Sequence, residues 1–338
     1  MVKRNPEIIL KKPPILFVQT QEVISQIKKG LDGDFLSYWI SSNGELMDED
    51  AMTFYKLINN REVNSKLYLY IKSDGGSGIG ALRIINLLRT YYKDIVALIA
   101  GDCASAATML ALGANVIQMG PLAYLSAIDT SITHDMSPID DKFNDKVSVS
   151  QNELDRVLKL WEQKKGKKDY NPYGTLYEFI HPLVFGSVDR ASSLSIKLTK
   201  DILSYHMDDV QKADKISNHL NSAYPSHSYP ITLKEAISIG LNAELLDPEL
   251  NNKLLQLNDL YSEMAQRANT DFDEQNYHDH EISKIIEMSG EQIFYQQEKD
   301  WHYRKEERRY IPLNDESSWR TATFDQDGQV VISKYHVR

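Results

Sequence analysis

The chain has 338 residues, 42% hydrophobic and 25% charged, with a formal net charge of −10. That length supports one or two domains with a full core, and the acidic balance argues against a general nucleic-acid binder. A single cysteine, Cys103, excludes an intrachain disulfide and fits a reducing compartment.

Residues 1–34 form an arm of mixed apolar, basic and proline-containing stretches, in which Glu22 to Lys29 can form a helix. No apolar signal core follows the charged start. The longest apolar run, Ile95 to Met119, is broken by Asp102, Ser105 and Asn115. The expectation is a cytoplasmic protein without a membrane span. Phe35 to Ile40 reads as a first core strand, followed by a helix from Asp48 to Ile58 with acidic residues at its start.

Leu67 to Ile71 reads as a strand, then come Lys72-Ser73-Asp74-Gly75-Gly76-Ser77-Gly78 and a helix with Ile79, Leu82, Ile85 and Leu88 on one face. Paired glycines between strand and helix permit positive φ and a close backbone approach to a ligand. The Gly76 N–H is a candidate oxyanion donor, and Gly75 and Ser77 are candidate substrate contacts. The loop lacks GxxxxGK[ST] and GxGxxG spacing, which argues against nucleotide phosphates.

The next unit runs from the strand Ile95 to Ala100 into Gly101-Asp102-Cys103-Ala104-Ser105, then a helix from Ala106 to Leu112. A serine at a sharp strand-to-helix turn presents its hydroxyl clear of the sheet, and the Ala106 N–H opens the helix unpaired. That is the local pattern of a serine nucleophile with half an oxyanion hole. Small residues here equally allow a helix to pack tightly. Cys103, at the end of an apolar strand with no cation nearby, reads as a buried residue rather than a reactive thiol. With Val116 to Met119 as a further strand, strand and helix alternate three times, which points to an α/β domain with mostly parallel strands.

Beyond a polar loop, Asp140 to Lys146, helices are expected from Ser150 to Lys164 and from Ser187 to Met207. The second carries Val188, Ala191, Leu194, Leu198, Ile202 and Tyr205 on one face. Pro225 to Ile231 is a constrained link into a helix from Thr232 to Ile239, with a Thr232/Glu235 capping box and Gly240 beyond its end. Lys164 to Lys168 reads as a solvated loop and Arg304 to Arg309 as a mixed-charge helix face. Asp271 to His280 reads as a mobile linker. Within it, His278-Asp279-His280-Glu281 reads as an exposed acidic turn rather than a metal site. Trp319 to Val337 reads as two strands joined at Asp327-Gly328. No metal and no cofactor is expected.

Five pieces in order, Ser73-Asp74-Gly75-Gly76, Ala104-Ser105-Ala106 with Ala111-Leu112-Gly113-Ala114, Met119-Gly120-Pro121 with Ile128-Asp129, His181 to Arg190, and Ser226 to Thr232 with Gly240-Leu241, resemble the serine dehydrogenase proteinase family. The resemblance spans about 65 to 250 and implies the Clp-protease/crotonase fold: a repeated β-β-α core with added helices and here a C-terminal α/β extension. It also implies self-association and a metal-free serine endopeptidase with Ser105 as nucleophile and Gly76 and Ala106 as oxyanion donors. Asp74 stands where related sequences carry proline, and Ser126-Ala127 where they carry Gly-Pro. On this reading 1–34 is an arm, 35–250 the peptidase domain, and 251–338 an extension for assembly or a partner protein.

Four residues are candidates for the proton acceptor or its orienter. Asp129 and His134 lie where Clp proteases carry their histidine. Lys146, with Lys142 beside it, lies where related Ser–Lys proteases carry their lysine, which must be desolvated or near positive charge to act as a base. His227 lies in the link where the Clp triad carries its third member. The leading expectation is an ATP-independent serine endopeptidase acting on proteins or peptides. The alternatives are a catalytically inactive scaffold on the same fold and a crotonase-type acyl-CoA thioester enzyme.

Overall fold

Strand β1 (Asp34–Ile40) is buried at every position, so both faces of the sheet around it are covered. The computed structural model describes residues 8–59, 61–140, 145–164 and 172–335, and the chain divides into two units, 1–125 with 230–338, and 126–229.

The first unit opens with α1 (Phe17–Lys28), β1, α2 (Asp50–Ile58), β2 (Lys66–Lys72), α3 (Gly78–Tyr91), β3 (Asp94–Ile99), β4 (Asp102–Cys103), α4 (Ala106–Leu112), β5 (Val116–Met119) and β6 (Tyr124–Leu125). Strands β1, β2, β3 and β5 are parallel neighbours in that order. Alternation along β1 feeds two layers. Phe35 and Trp39 join Phe17, Ile24 and Ile27 of α1 in one core, each full burial contributing about 1.5–3 kcal/mol. Tyr38 points the other way, its ring edge-on to Phe54 and its hydroxyl donating to Asp50 Oδ2 at 2.6 Å.

After the second unit the chain returns through α9 (Leu233–Ser238), β11 (Ala243–Leu245), α10 (Pro248–Met264), β12 (Thr270–Asp271), β13 (Asn276–Met288), β14 (Glu291–Arg304), β15 (Arg309–Asp315), β16 (Ser318–Phe324) and β17 (Val330–Tyr335). Strand β11 joins β5 in parallel, and β13 pairs antiparallel with β1. The sheet therefore runs β11-β5-β3-β2-β1-β13-β14-β16-β17, with β12 on β13 and β15 on β14. Tyr261 and Leu257 of α10 complete the α1 core.

The second unit holds β7 (Ser131–Ile132), β8 (Ile139–Asp140), β9 (Asp145–Lys146), β10 (Val149–Ser150), α5 (Gln151–Lys164), α6 (Pro172–Leu176), α7 (Pro182–Leu203) and α8 (Val210–Ser222). Its core gathers Val149, Leu154, Val184 and Val188. Helix α7 starts at Pro182, a turn before the expected Ser187, because proline suits the first helical position and His181 Nδ1 accepts the Leu183 N–H. Leu194, expected on the buried face, is exposed; Ser195 takes that place and donates to the Ile128 carbonyl at 2.6 Å.

Four local expectations are corrected. Asp271 to His280 is not a linker but the β12–β13 strand pair. The sequence His278-Asp279-His280-Glu281 is not an exposed turn, since all four residues are at most 2% exposed within β13. Arg304 to Arg309 is not a helix but the β14–β15 turn, where Glu307 accepts from both Arg304 and Arg309. Thr232 precedes α9 but makes no side-chain cap bond. Lys142 and Lys165 to Lys168 lie outside the described residues. Among the described residues no helix is long and apolar enough to cross a membrane.

Candidate active site

Strand β4 is clasped from both sides. Tyr124 and Leu125 of β6 pair with Asp102 and Cys103. On the other side the Ser73 N–H donates to the Asp102 carbonyl at 3.1 Å, and the Ala104 N–H to the Ser73 carbonyl at 2.9 Å. These bonds lay the glycine loop alongside Ser105. Ser73 Oγ accepts the Gly75 N–H at 3.0 Å and tightens the turn. Gly75 and Gly76 then take φ of +115° and +135°, where a side chain is strained. A Cβ at Gly75 would lie 2.6 Å from Ser105 Cβ and 3.1 Å from Ser105 Oγ, and one at Gly76 2.3 Å from the Leu46 carbonyl oxygen.

Ser105 itself has φ +54° and ψ −120°, a conformation that costs a non-glycine residue strain and turns the chain sharply from β4 into α4. The Met109 N–H donates to the Ser105 carbonyl at 3.1 Å and closes the first turn of α4. Neither the Gly76 N–H nor the Ala106 N–H has an acceptor among the described residues. Two free donors beside a half-buried serine can stabilise an oxyanion formed by attack of its hydroxyl. The tight-packing reading of the small residues also holds, since a Cβ on Gly113 would press to 2.4 Å from Ile85.

The neighbours divide by role. Ser77 caps α3: its Oγ accepts the Gly80 N–H at 3.0 Å and donates to Asp48. Cys103 is buried; burial, with the Asp102 charge adding to it, pushes its thiol far up, so it is an inert core residue as expected. Asp74 is exposed. Ser126 is fully buried and its Oγ donates to the Ala127 carbonyl at 3.0 Å.

Of the four proton-acceptor candidates, all in the second unit, the fold brings two together. His227 Nδ1 lies 2.8 Å from Asp129 Oδ1, with the imidazole 49% and the carboxylate 13% exposed. The Asp129 hydrogen bond raises the His227 pKa above the usual histidine value of 6.5 against the opposing effect of burial. Burial works to raise Asp129, but hydrogen bonds from His227 and Asn152 and the His227 charge outweigh it, and the net shift is downward. A carboxylate on Nδ1 fixes the tautomer with Nε2 as the free nitrogen. His134 is a turn residue: its Nδ1 accepts the Met136 N–H at 3.0 Å, which leaves the ring proton on Nε2 and no outward lone pair. Lys146 is exposed and ion-paired to Asp135 at 2.6 Å, the opposite of a desolvated lysine base.

Residues 19–122 match the Clp protease family model, a span that contains Gly75, Gly76, Ser105 and Ala106. Over that span the fold is that of the Clp proteases. The expected resemblance to Clp-fold serine peptidases is met, and the Clp match supports a serine peptidase-type function. An uncharacterized protein of Methanocaldococcus jannaschii, MJ0137, is 23% identical over 225 residues, covering 66% of this chain and 68% of its own. Among solved structures, the S97A mutant of the membrane-bound stomatin-specific protease 1510-N covers 67% of this chain and 86% of its own. Its TM-score is 0.38 and its identity 13%.

Proposed function

We propose that this chain is a serine endopeptidase on a Clp fold. Ser105 Oγ attacks a peptide carbonyl carbon, and the Gly76 and Ala106 N–H groups take the charge that develops on its oxygen. The Ser105 proton passes to a general base and then to the leaving amine; of the candidates for that base His227 has the chemistry, since Asp129 holds its imidazole and stabilises the charged form. Water repeats the sequence on the acyl-enzyme. The conformation of Ser105, strained and pressed against Gly75 beside two N–H groups with no acceptor among the described residues, carries the reading.

Asp129 on its Nδ1 is what favours His227 as the base over His134 and Lys146. Relative to Clp proteases, histidine and aspartate have exchanged places in chain order. The acidic chain with one cysteine acts in the cytoplasm on protein or peptide substrates, as a self-assembled oligomer, with no nucleotide required by the chemistry. Digestion of a peptide library followed by mass spectrometry tests the reading. Wild type produces new termini and Ser105→Ala produces none. A folded wild type that cleaves nothing overturns it and favours the scaffold alternative.

A further inference from the structure

The β13–β14 hairpin carries a buried cluster of histidines and carboxylates. In its register His280 faces Glu298 and His278 faces Asp300, so all four side chains share one face of the sheet. Both imidazoles are 1% exposed. Each is held through Nδ1: His278 by Asp300 Oδ1 at 2.8 Å, and His280 by the Lys11 carbonyl at 3.2 Å. A carbonyl oxygen cannot donate and an ionised carboxylate only accepts, so both Nδ1 atoms carry the proton and both Nε2 atoms carry lone pairs. His278 Nε2 is buried with no hydrogen-bond partner among the described residues. Protonating it would leave a buried N–H equally unpaired, a cost of the kind native interiors avoid. One ligand atom each from His278, His280 and Glu298 lies within 4.8 Å of the others.

We infer that His278, His280 and Glu298 form a binding site for a divalent transition-metal cation of the Zn2+ type. Two imidazole nitrogens and one carboxylate oxygen suit Zn2+ rather than Ca2+ or Mg2+, which take oxygen ligands. The Asp300 and Lys11 bonds supply the tautomer and ring orientation that metal-binding histidines require. Arg320 Nη2 donates to Glu298 Oε2 at 2.6 Å and orients that carboxylate. Gln296 donates to His280 Nε2 and must swing away when the ion enters. The bound ion ties the two strands of the hairpin to each other and, through His280, to the N-terminal segment at Lys11. The site is independent of Ser105 and its role is structural.

The test uses the full chain, stripped with a chelator, equilibrated with ZnCl2, desalted and assayed by elemental mass spectrometry and titration calorimetry. Wild type takes up one zinc per chain and its Tm rises. Glu298→Gln, at a partly exposed position, keeps the fold and weakens binding at least about tenfold, as does Asp300→Asn. Should His278→Ala fail to fold, those two variants carry the test. A stripped wild type that takes up no zinc at micromolar free ion overturns the site. So does zinc bound with unchanged affinity in Glu298→Gln and Asp300→Asn, which would place the ion elsewhere.

Discussion

Replacing Ser105 separates the cost of its backbone conformation from the chemistry of its hydroxyl. Ser105→Ala removes the hydroxyl but keeps a Cβ at φ +54°, ψ −120°; Ser105→Gly removes both. A non-glycine residue held in such a region costs about 1–3 kcal/mol. Glycine returns about 0.5–1 kcal/mol of that through the greater freedom of the unfolded chain. Any bond made by the hydroxyl is lost equally in both variants and cancels. The Gly variant is therefore more stable than the Ala variant by up to about 2.5 kcal/mol. Urea unfolding of the two proteins, fitted with a shared m-value, reads the difference. A Gly variant no more stable than the Ala variant refutes the claim that the turn holds Ser105 under strain.

Asp129→Asn removes the main cause of the raised His227 pKa, so the acid limb of the pH–rate profile moves below its wild-type midpoint and the rate falls by about a hundredfold or more. An unmoved limb contradicts the assignment of His227. Lys284 Nζ lies 2.9 and 3.0 Å from the two oxygens of the fully buried Asp50. Lys284→Met leaves that carboxylate uncompensated and costs about 3–5 kcal/mol, part of which Asp50→Asn restores in the double variant; a loss below about 1 kcal/mol contradicts this. Glu287 is fully buried, and burial raises it from 4.5 to about 7 despite donors from Gln292, Thr20, Gln21 and Tyr261. The folded state therefore holds a proton that the unfolded chain releases between those values. Stability is greatest below the lower one and falls by about 3 kcal/mol as pH rises through the window. Glu287→Gln flattens that decline, which denaturation at a series of pH values reads; an unchanged slope contradicts the assignment.

The parallel core was legible in the sequence because its strands are uninterrupted apolar runs and its turns carry glycines at the positions that need positive φ. Gly75, Gly76 and Ser105 were singled out on those grounds, and the fold places them side by side. The β13 strand was not legible. Its residues alternate charged groups, each satisfied by a distant partner: Asp279 by Arg267, Glu281 by Asn43, Lys284 by Asp50. Read without those partners, buried ions look like a solvated loop. The joining of His227 to Asp129 across 98 positions is a tertiary fact of the same kind, and only the rigid Pro225 to Pro230 link hinted at it.

The rate of Ser105 labelling by a fluorophosphonate, followed by intact mass, tests most directly whether Ser105 is a nucleophile that relies on His227 as its base. Wild type is labelled once, Ser105→Ala is not, and His227→Ala is labelled about 10²–10⁴-fold more slowly while Lys146→Met matches wild type. Labelling that survives His227→Ala and fails in Lys146→Met would contradict the account.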